Sequence, residues 1–123
     1  MINNTDILIL TGGKGSRIKK RLKDKPKTLV QIGGEYLIDI TINYLFNQGF
    51  RRFILCTGFY ANPLKDHFLN NKMLNNIEII FSHEETQIGT GGAIKNAEKL
   101  VRSKIFFVIN GDTFIKLNYA EML

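Results

Sequence analysis

The sequence predicts an α/β fold, on three observations. Four short, largely apolar runs, at Ile7–Leu10, Phe53–Thr57, Ile77–Phe81 and Ile105–Ile109, have the length and composition of strands. The stretches between them carry helical spacing or helix-start signals. A turn with three glycines in four positions, Gly12-Gly13-Lys14-Gly15, follows the first run directly. Alternation of this kind folds into a parallel sheet with right-handed crossovers, and such sheets bind ligands beyond the carboxyl ends of their strands.

Taken in order, Ile7–Leu10 is a buried first strand. Val30-Gln31-Ile32-Gly33-Gly34 is a short extended piece and a turn. Glu35–Gln48 reads as a helix, because Leu37, Ile38, Ile42, Leu45 and Phe46 recur at three to four residues and Gly49 suits a C-terminal stop. The alternation Ile38-Asp39-Ile40-Thr41-Ile42 would also suit a strand. Phe53–Thr57 is the second strand, with Cys56 a core residue. Asn62-Pro63 reads as an N-cap followed by proline at the first helical position, which predicts a helix to about Asn70. His67, without a partner at metal or catalytic spacing, reads as a surface or packing residue. Ile77–Phe81 is the third strand. Thr90–Val101 is a helix with Ile94, Ala97, Leu100 and Val101 on one face. Ile105–Ile109 is apolar throughout, as expected of a strand in the middle of a parallel sheet covered on both faces.

The 123 residues, 44% of them hydrophobic, suffice for one modest domain, taken as 1–123 with a basic phosphate loop at 11–29. No apolar run approaches the length of a membrane span, and Met1–Asp6 lacks the features of a signal peptide. With a single cysteine, which can form no internal disulfide, a reducing cytoplasm is the expected location. Net charge is +6, and its placement matters more than its size. Residues 14–27 hold Lys14, Arg17, Lys19, Lys20, Arg21, Lys23, Lys25 and Lys27 against Asp24 alone, so the whole excess sits beside the glycine turn. These charges are not interleaved with aromatic residues, and no helix-turn-helix or zinc spacing accompanies them, which argues against nucleic acid. A solvated basic loop, or a positive field focused on a polyphosphate, accounts for them.

Glycines let backbone N–H groups approach an anion, and arginine and lysine add the charge that dipoles lack. The turn is not a P-loop, whose second glycine would fall where Arg17 stands. Nor is it the dinucleotide fingerprint, whose third glycine would fall at Ile18. Gly12-Gly13-x-Gly15-Ser16-Arg17 followed by Pro26-Lys27 instead resembles the signature of the sugar-1-phosphate nucleotidylyltransferases. The resemblance implies the nucleotide-binding half of a nucleotide-diphospho-sugar transferase fold, a Rossmann-like three-layer α/β/α arrangement with a mainly parallel sheet.

Two further loops extend the resemblance. Gly89-Thr90-Gly91-Gly92 is similar to the family's second nucleotide segment, and Thr90 would also serve as an N-cap at a glycine-rich helix start. Glu84, five residues earlier, stands where relatives taking uridine or thymidine nucleotides commonly carry glutamine. A carboxylate only accepts hydrogen bonds, and guanine offers two adjacent donors, so the resemblance implies GTP with Glu84 as guanine reader. Solvation alone would also account for Glu84. The last apolar strand ends in Asn110-Gly111-Asp112-Thr113-Phe114, and in the resembled family this aspartate binds Mg²⁺.

The implied reaction couples a sugar 1-phosphate with GTP to give a nucleotide sugar and pyrophosphate, as in cell-surface polysaccharide biosynthesis. Thr11, Gly12, Gly13, Gly15, Ser16, Glu84, Gly89, Thr90 and Gly91 would bind nucleotide, Arg17 and Lys27 would hold the reacting phosphates, and Asp112 would anchor Mg²⁺. The loops look most like the heptose 1-phosphate guanylyltransferase branch, then the mannose 1-phosphate guanylyltransferases, with CTP, UTP or dTTP enzymes as the wider alternative. No nucleic acid and no membrane is expected as a partner.

The chain departs from the family at Thr11, where alanine or cysteine is common, and at Thr28, where a second proline is common. The resemblance covers only about the first half of such an enzyme. The expectation is therefore a transferase completed by a C-terminal half or through an oligomer, with a non-catalytic nucleotide-binding remnant or an unrelated α/β phosphate-binding module as alternatives. An exposed apolar edge is expected where a further strand would pair.

Overall fold

The computed structural model describes residues 2–11, 31–57, 61–70, 76–83 and 89–123. Its frame is a four-stranded, all-parallel sheet of β1 (Asp6–Leu10), β4 (Arg52–Thr57), β5 (Glu78–His83) and β6 (Phe106–Asn110), in the order β5-β4-β1-β6. Between β1 and β4 come a two-stranded hairpin, β2 (Gln31–Ile32) and β3 (Glu35–Tyr36), and the helix α1 (Leu37–Asn47). The helix α2 (Ala61–Asn70) connects β4 to β5, and α3 (Gly89–Asn96) lies between β5 and β6. Short 3-10 turns at Glu98–Leu100 and Tyr119–Met122 complete these regions.

Alternation along the strands sorts the core into two layers. Ile7, Ile9, Phe53 and Leu55 face one way and pack with Ile38, Ile42 and Leu45 of α1, Leu64 of α2, and Phe50. Leu8, Ile54 and Cys56 face the other way and meet Ala93 of α3 and Ala97 just beyond its end. Helices on both faces of a parallel sheet make the three-layer α/β/α arrangement that the alternation predicts, with Cys56 in the core. Helix α1 ends as Gly49 requires. The Gly49 N–H donates to Phe46 O at 2.9 Å and the Phe50 N–H to Leu45 O at 3.1 Å, a pair of bonds that satisfies the last carbonyls.

The strands fall within two residues of the sequence reading, and four larger features depart from it: the bounds of the three helices and the place of β6. Helix α1 begins at Leu37 rather than Glu35, because Gly33 and Gly34, at φ +60° and +87°, form the two-residue turn that pairs Glu35-Tyr36 with Gln31-Ile32. Helix α2 begins at Ala61, so Pro63 stands third in it. That is tolerated because the first four helical N–H groups have no intrahelical acceptor. Helix α3 starts at Gly89, which puts Thr90 inside the helix rather than at its cap, and stops at Asn96, where the Ala97 N–H is shared between Ala93 O and Ile94 O before the 3-10 turn.

The fourth difference is the largest. The apolar run of β6 predicts a central strand, and β6 instead lies at an edge of the described sheet. Phe107 and Ile109 pack against the α1 side, whereas α3 sits over β1 and β4 and leaves Phe106 and Val108 each 37% exposed. The exposed apolar edge that the sequence predicts is therefore the flank of β6.

At the amino end of the sheet, Asp6 is fully buried. It pairs with the Arg52 guanidinium, accepts the N–H groups of Arg102 (2.7 Å) and Ser103 (3.0 Å), and takes the Ser103 hydroxyl at 3.2 Å. Burial pushes the Asp6 carboxyl up, but the Ser103 and Arg102 N–H groups and the Arg52 guanidinium together outweigh it and hold the group below the ordinary aspartate range. Arg52 also donates to Leu100 O at 2.9 Å. Between α1 and α2, His67 Nε2 lies 2.8 and 2.9 Å from the two Asp39 oxygens, with the Tyr36 ring edge-on to the imidazole. His67 is a packing residue, as expected, and it joins the two helices on that face.

Candidate active site

Because the four strands are parallel, their carboxyl ends share one edge. Chain order reverses there: from β1 the sheet grows outward through β4 and β5, and β6 is then added on β1's other side. The crevice between the ends of β1 and β6 is the topological switch point, where open α/β sheets bind ligands. Thr11 follows β1 and Gly111-Asp112 follows β6 at this crevice.

Main-chain bonds hold the two sides together. The Gly111 N–H donates to Leu10 O at 3.0 Å, which carries the β1–β6 ladder one residue past the strand and leaves Gly111 buried. Asp112 follows with an exposed side chain, and the Thr113 hydroxyl lies 3.2 Å from Asp112 Oδ1. On the other side, the Thr11 N–H and the Thr11 hydroxyl both donate to Cys56 O, at 2.9 and 2.8 Å.

The β5 end is stitched in the same way. The Thr57 hydroxyl reaches Ser82 O at 3.5 Å, and Asn96 Nδ2 donates to His83 O at 3.0 Å. The Asn96 bond ties α3 to the end of β5, across residues 84–88. Gly89, at φ +77°, opens α3 in a conformation that side chains rarely adopt, and Thr90 and Gly91 are exposed beside it.

Of the residues singled out from sequence, Thr11, Gly89, Thr90, Gly91 and Asp112 thus lie on the carboxyl edge, with Thr11 and Asp112 on opposite sides of the switch point. Gly12, Gly13, Gly15, Ser16, Arg17, Lys27 and Glu84 lie outside the described residues. Sequence reading missed Asn96 and the Cys56 carbonyl. An asparagine in an exposed helical position gives no signal, and a main-chain acceptor has none to give.

The match to known proteins agrees with this geometry. The family model described as nucleotidyl transferase matches residues 7–123. The chain belongs to the nucleotidyl transferase family. It is 34% identical over 115 residues to the D-glycero-alpha-D-manno-heptose 1-phosphate guanylyltransferase of Campylobacter jejuni, a match covering 94% of this chain and 51% of that protein. It is 28% identical to the mannose-1-phosphate guanylyltransferase catalytic subunit beta of Drosophila melanogaster, covering 98% of this chain and 33% of that one. Among solved structures, HddC from Yersinia pseudotuberculosis complexed with GMP-PN superposes with a TM-score of 0.86 at 38% identity, covering 96% of this chain and 52% of that chain. The chain spans about half the length of the heptose guanylyltransferases it matches.

Among the described residues no three histidine, cysteine or carboxylate side chains cluster as metal ligands, and no helix is long and apolar enough to cross a membrane. The exposed Asp112 carboxylate is the kind of oxygen donor that Mg²⁺ takes, an ion that binds one or two carboxylates and fills its remaining positions with substrate phosphate oxygens and water.

Proposed function

We propose that this chain is the nucleotide-binding part of a guanylyltransferase that couples GTP with a sugar 1-phosphate, heptose 1-phosphate in the first instance, and releases pyrophosphate. The observation that carries the reading is the switch-point crevice, with the residue that opens the glycine loop on one side and Asp112 on the other. The similarity to heptose 1-phosphate guanylyltransferases and to a GMP-PN complex supports guanine as the base. A mannose 1-phosphate acceptor is the second reading, supported by the lower identity to the Drosophila protein.

In this reaction a phosphate oxygen of the sugar 1-phosphate attacks the α-phosphorus of GTP. The bond from that phosphorus to the bridging oxygen of the β-phosphate breaks, and pyrophosphate leaves. No proton needs to be removed from the nucleophile, so the protein's work is alignment and charge neutralisation. Gly12, Gly13, Gly15 and Ser16 would offer N–H groups to the triphosphate, Arg17 would neutralise the leaving pyrophosphate, and Lys27 would hold the reacting phosphates. Asp112 would hold Mg²⁺, which when bound supplies positive charge to the phosphate oxygens. Glu84 would accept from the two donors on the guanine edge, beside Gly89, Thr90 and Gly91.

Calorimetric titration of the chain with GTP, ATP, CTP and UTP in Mg²⁺, alongside Glu84→Gln, tests the reading. GTP is expected to bind at least about tenfold more tightly than UTP, the equivalent of one well-made charged hydrogen bond, and the substitution is expected to erase that preference. Equal binding of all four nucleotides, or of none, contradicts it.

A further inference from the structure

We infer that Thr11 is a positioning residue for the triphosphate, acting through its hydroxyl on the point where the chain leaves β1. The inference rests on the GTP reading above. In the parallel register of β1 with β4, Leu10 is the partner of Cys56, and an ordinary ladder bond from the Thr11 N–H to Cys56 O ends the pairing. The Thr11 hydroxyl adds a second bond to the same oxygen at 2.8 Å, so both lone pairs of that carbonyl are used by one residue. Thr11 is only 5% exposed. Its hydroxyl proton is therefore spent inside the protein, and donation to a nucleotide is not its role.

The consequence is geometric. A single N–H bond fixes a strand end in one direction and leaves the next peptide free to pivot about it. Two bonds from one residue to one acceptor fix the χ1 rotamer as well, and in a β-branched residue χ1 is coupled to the backbone. On the other side of β1, the Gly111 N–H donates to Leu10 O, so the one Leu10–Thr11 peptide is held from both neighbouring strands at the switch point. The residue before Gly12 and the residue before Asp112 thus share one rigid frame. Catalysis and binding of a polyphosphate depend on sub-ångström placement, and a rigid frame supplies it.

The test compares Thr11→Val, which keeps the volume and the branch but loses the hydroxyl, with Thr11→Ser, which keeps the hydroxyl. For each, GTP affinity is measured by calorimetry, guanosine affinity by NMR titration and melting temperature by calorimetric scan. Loss of positioning predicts that Thr11→Val weakens GTP about five- to tenfold, the worth of one buried hydrogen bond, while guanosine, which has no phosphates, changes less than about twofold. Thr11→Ser is expected to restore GTP binding to within about twofold of the unsubstituted chain. If Thr11→Val does not fold, Thr11→Ala set against Thr11→Ser makes the same comparison. The inference is overturned if the hydroxyl-deleted variant binds GTP like the unsubstituted chain, if guanosine weakens equally, or if serine fails to rescue while melting normally. Failure of the unsubstituted chain to bind GTP would instead overturn the functional reading.

Discussion

The two ends of the same four strands are built on opposite plans. At the amino end a charged side chain, Asp6, is fully buried and surrounded by donors from Arg52, Arg102 and Ser103. At the carboxyl end a charged side chain, Asp112, stands exposed on a buried glycine that is pinned to β1. A carboxylate whose lone pairs are filled from within can do no chemistry on a ligand, whereas one exposed at the carboxyl edge is accessible to one. The difference separates two kinds of work: the amino end secures the sheet, and the carboxyl end keeps polar groups at the surface, where the proposed nucleotide site lies.

Substitutions at the two ends can break this comparison. The largest effect is expected from Asp6→Ala. It removes the buried carboxylate that pairs with the Arg52 guanidinium and accepts the Arg102 and Ser103 N–H groups, and should lower unfolding free energy in urea by about 3 kcal/mol. Gly89→Ala comes next, costing about 1–2 kcal/mol in the same urea titration because the residue sits at positive φ, although the space a Cβ would enter is open. Acid should act through Asp6 as well. Its carboxyl is held below its unfolded value, so its contribution is fully present above about pH 4 and is lost as pH falls through the lower folded value. Urea midpoints should therefore drop on acidification below about pH 4, and more steeply than in Asp6→Asn. Asp112→Ala is expected to be the smallest, under about 1 kcal/mol, as for other exposed positions. A loss at Asp112 as large as that at Asp6 would erase the distinction between the two ends.

Much of the carboxyl end is legible in the sequence. Glycines, a lone aspartate and a basic run stand immediately after apolar strands, and parallel topology alone gathers such residues at one edge. The amino end is not legible. Asp6 reads as a polar residue ahead of an apolar run, and its partners lie 46, 96 and 97 positions away, where no local pattern links them. Strand β6 shows the same limit from the other side. An all-apolar run reports two faces suited to burial, but not which elements cover them, and here α3 reaches β1 and β4 and not Phe106 or Val108. Gly33-Gly34 reads as a turn, yet its effect on the start of α1 depends on strand pairing that helical spacing cannot reveal. Asp39 and His67, on separate helices, meet only because α1 and α2 share a face of the sheet.

The most direct measurement of the central claim is a pair of GTP titrations, with Mg²⁺ and with EDTA, on the unsubstituted chain and on Asp112→Ala. The account predicts that Mg²⁺ strengthens GTP binding to the unsubstituted chain. It also predicts that Asp112→Ala binds GTP in Mg²⁺ no better than the unsubstituted chain does in EDTA, with its unfolding free energy changed by less than about 1 kcal/mol. Undiminished Mg²⁺-dependent GTP binding by Asp112→Ala would contradict the account.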